Sequence, residues 1–187
     1  YKPPVSSKVY SGNGDLVADF SKEKRIFVPY SSIPENVINA FLSAEDKNFF
    51  SHPGVDAKGV LRAIMNNVKN IITSNRLEGA STITQQVAKN FLLTNEVSLN
   101  RKIKEAILAF RIERALSKER ILELYLNQIY LGSGAYGVAA ASLEYFDKSI
   151  RELNYNEAAL LAALPKAPSR YNPYKDIEVA KFRRNLV

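Results

Sequence analysis

Residues 101–116 read Arg101-Lys102-Ile103-Lys104-Glu105-Ala106-Ile107-Leu108-Ala109-Phe110-Arg111-Ile112-Glu113-Arg114-Ala115-Leu116, and their periodicity predicts a helix. At about 100° per residue, Ile103, Ile107 and Phe110 form one apolar stripe, and Leu108, Ala109 and Ile112 form a second on nearly the opposite side. A helix that is apolar on two sides is expected to be central. Glu105 falls within the second stripe, which directs its carboxylate into the interior or a cleft. A buried carboxylate needs a cation or an unusual pKa to be tolerated. Two readings stay open for it: a functional carboxylate, or a structural salt bridge to Lys102 or Arg101.

Upstream lies Gly79-Ala80-Ser81-Thr82-Ile83-Thr84-Gln85-Gln86-Val87-Ala88-Lys89-Asn90. Thr82 and Gln85 fit the [ST]-x-x-[EQ] capping box, so a helix is expected to begin here. Backbone N–H groups, hydroxyls, two amides and Lys89 in one place suit an anionic ligand such as a phosphate. An ordinary capped helix with solvent-facing glutamines is the competing reading.

Further upstream, Ser32-Ile33-Pro34-Glu35 is a second capping-box pattern with proline in the first turn. It opens a helix whose apolar face runs at i+4 from Val37 to Phe41 and reaches Glu45 where an apolar residue would be expected. Asp46, Phe49, Phe50 and the turn His52-Pro53-Gly54 follow. A carboxylate beside two phenylalanines is expected to hold its proton more tightly through desolvation, which suits proton transfer. The alternatives are a helix-end Glu that bends out to water or pairs with an Arg. His52 is expected to hydrogen-bond the turn. From Ala57 to Leu77 there is no acidic residue, and Lys58, Arg62, Lys69 and Arg76 flank an apolar stripe. Such a stripe fits core packing, or a helix lying on an anionic membrane surface. The polar stretch Asn70 to Glu78 reads as a mobile loop.

Toward the ends, Val9-Tyr10 and Leu16-Val17-Ala18 flank a glycine-containing turn, with Ile26-Phe27-Val28 expected as a third strand. Ser117 caps a helix expected from Lys118 to Tyr130, followed by Gly132, Gly134 and Gly137, which imply close backbone approach. Val138 to Phe146 and Asn156 to Leu164 give two more helices, and the final segment begins a charged one. The expected fold class is mainly α with short N-terminal β strands.

Composition narrows the chemistry. The chain has 187 residues, 26 Lys plus Arg against 19 Asp plus Glu, a net charge of +7 and a pI near 9.5, so an anionic partner is expected. With no cysteine and one histidine, thiol nucleophiles, disulfides and Cys/His zinc sites are excluded. Acid–base work at neutral pH falls mainly on carboxylates. No apolar run is long enough to span a bilayer. The chain opens at Tyr1-Lys2-Pro3-Pro4 and stops at Arg183-Arg184-Asn185-Leu186-Val187, as an excised domain would.

Several of these stretches together resemble the ordered motifs of the peptidoglycan glycosyltransferases (glycosyltransferase family 51). They are Glu45-Asp46-Lys47-Asn48-Phe49-Phe50-Ser51-His52-Pro53-Gly54, Gly79 to Asn90, Arg101 to Glu105, Lys118 through Ile121-Leu122-Glu123-Leu124-Tyr125-Leu126-Asn127 to Gly137, and Ala158 to Pro173. The resemblance covers about residues 9 to 187. It implies a lysozyme-like globular lobe plus a smaller, membrane-facing lobe, within one glycosyltransferase domain over 1–187. In that domain residues 1–30 form a β-containing entry and about 57–78 a mobile membrane-facing stretch.

The implied reaction is polymerisation of lipid II into a growing glycan strand, with release of undecaprenyl pyrophosphate and sensitivity to moenomycin. Implied too are a location on the outer face of the cytoplasmic membrane, a transmembrane anchor absent from this fragment, and a C-terminal transpeptidase domain in a class A penicillin-binding protein. Under the resemblance Glu45 is the base on the acceptor's 4-hydroxyl, and Lys89 steadies the pyrophosphate. Glu105 acts near the leaving group, either by holding a divalent cation (Mg or Mn) or by positioning cationic side chains such as Lys102. Asp46, Ser81 and Gln86 contribute to substrate binding. Val97 stands where the family usually carries an arginine, and Glu78 and Ala80 differ from its usual Gln and Gly.

Two other readings compete. A lytic murein hydrolase of lysozyme-like fold would also use an essential glutamate, but it has no need of a phosphate site. A basic helical nucleic-acid binder is suggested by charge alone, and no recognised nucleic-acid motif supports it.

Overall fold

The computed structural model describes residues 8–13, 16–19, 23–72, 79–92 and 98–187. Among the described residues there are eight α-helices and four short strands, as the mainly α expectation requires. Two compact units divide the chain: Leu42–Tyr125 forms one, and Tyr1–Phe41 with Leu126–Val187 forms the other.

In the second of these units, β1 (Lys8–Tyr10) and β2 (Leu16–Asp19) pair antiparallel, as the turn residues between them predict. The expected third strand at Ile26-Phe27-Val28 does not form. Instead β3 (Lys24–Arg25) pairs in parallel with β4 (Ala135–Tyr136). The strand stops there because a side-chain amide takes over the backbone: Val28 N–H donates to Asn127 Oδ1 at 2.8 Å, and Asn127 Nδ2 donates to the Val28 carbonyl at 2.8 Å. The Ser32 capping box is also absent. Ser32 closes a 3-10 turn over Tyr30–Ser32 and accepts from Arg151 Nη2 at 3.2 Å. Helix α1 (Glu35–Glu45) starts from the Pro34 carbonyl, which accepts from the Val37 and Ile38 amides.

Helix α6 (Val138–Phe146) has the bounds the sequence predicts. It begins after Gly137, whose φ is +84° and where a Cβ would sit 2.7 Å from the Asn127 carbonyl oxygen. Only glycine fits that approach. Helix α7 (Tyr155–Ala163) opens on an Asn154–Glu157 capping box, and α8 (Ile177–Arg184) is capped by Asp176.

The other unit holds the end of α1, then α2 (Ala57–Ile72), α3 (Ile83–Leu92), α4 (Leu99–Ala115) and most of α5 (Lys118–Gln128). Phe49, Ile83, Val87, Ala109, Ile121 and Leu122 fill its core. Helix α5 ends at Gln128, two residues before the predicted Tyr130, because Tyr130 bridges to Tyr136. Helix α2 runs on to Ile72, through part of the expected loop; residues 73–78 lie outside those described.

Helix α4 departs from expectation. Its Glu105 and Ala109 are buried, but Ile103, Ile107 and Phe110 are 59%, 49% and 43% exposed. The helix is therefore not sandwiched on both sides: one stripe packs inward, where α3 lies beside it, and the other is left uncovered. Leu61, Ile64 and Met65 of α2 are likewise exposed.

Candidate active site

The N-terminus of α3 organises the site, and the predicted capping box builds it. Gln85 N–H donates to Thr82 Oγ1 at 3.2 Å, and Thr82 N–H donates to Gln85 Oε1 at 3.0 Å. Asp46, at the residue after α1, accepts from the Ile83 amide at 3.0 Å. An anionic oxygen on the first amides of a helix is stabilised by hydrogen bond and dipole together. Both Asp46 oxygens also lie 3.0 Å from His52 Nε2. Since His52 Nδ1 accepts from the Gly54 amide at 3.1 Å, the proton of the neutral ring sits on Nε2 and points at Asp46. His52 thus holds the turn, as expected, and Asp46 ties the end of α1 to the start of α3.

This tie brings Glu45 to Gln86. Gln86 Nε2 donates to Glu45 Oε2 at 2.9 Å. Glu45 is half-buried at the end of a face whose Val37 and Phe41 are buried, as the i+4 spacing predicts. It lines a cavity of about 270 Å³ together with Asp46, Asp56, Arg62, Ser81 and Thr82. Of the two phenylalanines expected beside Glu45, Phe49 is buried and Phe50 is exposed. Tyr125 is buried too; that burial, followed by the charges of Glu45 and Asp46, pushes its phenol well above the ordinary range and keeps it neutral. On the cavity's other side, Asp56 caps α2 through the Gly59 amide at 2.9 Å and holds Asn48 Nδ2 at 3.1 Å. Those two bonds, the amide first, hold its carboxyl below the usual range.

A second cluster starts at Ser81. Lys102 Nζ donates to Ser81 Oγ at 3.0 Å and to Glu105 Oε2 at 2.6 Å. Arg101 lies 2.8 Å from Glu105 Oε1, yet that oxygen and Arg101 Nε lack a hydrogen bond, so the contact is an ion pair of poor direction. The salt-bridge reading of Glu105 is therefore the observed one, with both named cations. A divalent ion at Glu105 would have to displace the Lys102 ammonium. Among the described residues no group of three or more carboxylate or imidazole side chains gathers to hold a metal.

Lys89 stands three residues past Gln86 on α3, hence on the same face, exposed and without an ion pair among the described residues. The structure thus joins Glu45 to Gln86 and Ser81 to Lys102 and Glu105, and leaves Lys89 apart from both contacts. Val97 and Glu78 lie outside the described residues; Ala80 lines the cavity.

Sequence reasoning missed the frame beneath the turn. Glu113 Oε1 accepts from Thr84 Oγ1 at 2.6 Å and from Lys118 Nζ at 2.7 Å. Lys118 Nζ also donates to the His52 carbonyl at 2.7 Å and lies 4.4 Å from the Phe49 ring centroid. The site as a whole offers a carboxylate and a hydroxyl on one cavity, the hydroxyl accepting from the Lys102 ammonium. It can take a proton from a hydroxyl and stabilise developing negative charge.

The profile of the family described as Transglycosylase matches residues 13–187. Penicillin-binding protein 1A of Rickettsia felis is 57% identical over 187 residues, covering 100% of this chain and 24% of that protein. The Aquifex aeolicus protein of the same name is 54% identical over 187 residues, covering 100% of this chain and 25% of its own length. The chain therefore spans about a quarter of the length of these curated relatives. Among solved structures, penicillin-binding protein 1A from Haemophilus influenzae superposes with a TM-score of 0.52 at 27% identity, covering 100% of this chain and 18% of that one. The mainly α, lysozyme-like fold class expected from the sequence stands with that likeness.

Proposed function

The chain belongs to the transglycosylase family, and from that premise we propose that it is a peptidoglycan glycosyltransferase that polymerises lipid II and releases undecaprenyl pyrophosphate. The acceptor's 4-hydroxyl attacks C1 of the donor sugar, the bond from C1 to the pyrophosphate oxygen breaks, and the α linkage becomes a β-1,4 linkage. Glu45 takes the hydroxyl proton. The electron pair leaves on the pyrophosphate, whose charge is met by Lys102 and Lys89.

The observation that supports this reading most is the placement of Glu45 and Ser81 on one cavity. Glu45 is held from α3 by Gln86, and Ser81 carries the Lys102 ammonium. A base on the cavity and a cation held at the cavity's Ser81 hydroxyl are what an inverting displacement at a phosphorylated sugar needs. Glu105 positions Lys102, and Gln86 orients Glu45. Asp46 serves through the helix start that it caps. Donor sugar or phosphate binds at Ser81.

The uncovered apolar stripes of α2 (Leu61, Ile64, Met65) and α4 (Ile103, Ile107, Phe110), with Lys58, Arg62 and Lys69 on α2, support contact with an anionic membrane surface. No helix among the described residues is long and apolar enough to cross a membrane. In the proposal the domain works on the outer face of the cytoplasmic membrane, within a longer chain that carries a transpeptidase domain after it. Incubation with labelled lipid II, with and without moenomycin, tests the function. The expected result is moenomycin-sensitive glycan polymer; shortening of preformed glycan with lipid II untouched would instead indicate a murein hydrolase.

A further inference from the structure

We propose that Glu113 and Lys118 are positioning residues for the general base: together they fix the spacing between the Glu45 turn and α3, and so hold Glu45 against Gln86. The proposal rests on the reading of Glu45 as base. Three sets of contacts join the turn after α1 to the start of α3: the Thr82 hydroxyl donates to the Gly54 carbonyl at 2.6 Å, and two further sets pass through His52. The first of these two runs through its side chain, from Nε2 to Asp46 and from Asp46 to the Ile83 amide. The second runs through its carbonyl, to Lys118, then Glu113, then the Thr84 hydroxyl. Thr84 is two residues before Gln86, and Phe49, under the Lys118 ammonium, is four residues after Glu45.

The Asp46 and Thr82 contacts hold the turn from α3 alone; the Lys118–Glu113 pair braces it against α4 and α5 as well. Lys118 is suited to this because its ammonium reaches two acceptors, the His52 carbonyl and Glu113 Oε1, while it rests on an aromatic face. Gly54 adds a reason for the tight fit: its Cα approaches the α4 backbone so closely that a Cβ would lie 2.9 Å from Ala109 C and 3.1 Å from Glu113 Cγ. The turn is therefore pressed on the helix that carries Glu113, and a small change in the Glu113–Lys118 pair is passed to it. Neither residue lines the cavity that Glu45 and Ser81 share, which is why the role assigned to them is positioning.

The test compares wild type, Lys118→Met, Lys118→Arg and Glu113→Gln for lipid II polymerisation, fold by circular dichroism, and the ring of His52 by ¹⁵N NMR. His52 is the single histidine, so its signal needs no assignment. Lys118→Met keeps the aliphatic stem over Phe49 and loses the ammonium. It is expected to lose about 100-fold in kcat, the scale of a misplaced catalytic group, with KM unchanged and the helical signal of wild type. Its His52 Nε2–H signal is expected to broaden or shift. Lys118→Arg, which still donates to both oxygens, is expected to recover most of kcat.

Wild-type kcat in Lys118→Met, or a loss confined to KM, overturns the proposal. If Lys118→Met does not fold, Glu113→Gln carries the test, with a fall in kcat and a shifted His52 signal expected and no change overturning it. A wild type inert toward lipid II defeats the proposed function instead; the His52 signal then decides the frame, and an unchanged signal in both variants overturns it.

Discussion

Replacing Asp46 by Asn asks whether this carboxylate is a structural tie. Asp46 is buried and serves two donors, the Ile83 amide and His52 Nε2, each at 3.0 Å. Asn offers one oxygen and one NH2: an oxygen in the place of Oδ2 faces both donors, but the NH2 then stands 3.0 Å from His52 Nε2, donor against donor. The ring of His52 cannot rescue the arrangement. Moving the proton to Nδ1 lets Nε2 accept from the Asn NH2, but it then sets Nδ1–H against the Gly54 amide. Either way one buried donor is orphaned.

A hydrogen bond to a charged group is worth about 1.5–3 kcal/mol, so one such bond is lost. The surviving bond becomes neutral and about half as strong. The charge at the start of α3 adds about 0.3–1 kcal/mol. The expected loss is about 3–5 kcal/mol. It is read by urea unfolding as a fall in midpoint of about 2 M at unchanged slope, taking a slope near 2 kcal/mol/M. A variant within about 0.5 kcal/mol of wild type would mean that Asp46 is not a structural tie, because ordinary surface substitutions fall in that range.

At Gly54, φ is +102° and a Cβ would meet the Ala109 backbone, so Gly54→Ala is expected to cost about 2–5 kcal/mol from strain and overpacking combined. Gly79, with nothing within 4 Å of its Cβ position, is the control, and Gly79→Ala is expected to change unfolding free energy by less than about 0.5 kcal/mol. Asp56→Ala removes the α2 cap and is expected to cost about 1 kcal/mol at neutral pH. Because the folded carboxyl sits below its unfolded value, that stabilisation is complete above about pH 4 and disappears as pH falls through the lower folded value, so wild type and Asp56→Ala should converge in acid denaturation curves.

The sequence made the α3 start legible because a capping box is local: Thr82 and Gln85 meet within one turn whatever packs around them. The position of Glu45 was equally readable, since a helical face carries its own register from Val37 through Phe41. Ser32 failed by the same kind of signal because a distant partner, Arg151, engages its hydroxyl while a 3-10 turn takes the chain into α1. The third strand failed likewise: the Asn127 side chain captures Val28 across a long sequence separation that no local pattern encodes. On α4, periodicity identified both stripes, but only packing decides that the Ile103 stripe stays uncovered. Glu105 left two readings open, and the geometry pairs it with Lys102 and Arg101, an arrangement that both readings use. Glu113 went unnoticed, and Lys118 opened a family-like stretch without a role, because their partners, Thr84 and the His52 carbonyl, are contributed by elements far along the chain.

The proposed role of Glu45, as base of a glycosyl transfer at the cavity beside Ser81, is open to a direct experiment. Single-turnover reaction of labelled lipid II with wild type and with Glu45→Gln, alongside moenomycin binding to both, tests it most directly. The expected result is moenomycin-sensitive β-1,4 polymer from wild type, no polymer from Glu45→Gln, and inhibitor bound by both with similar affinity. A Glu45→Gln variant that polymerises lipid II at the wild-type rate would contradict it.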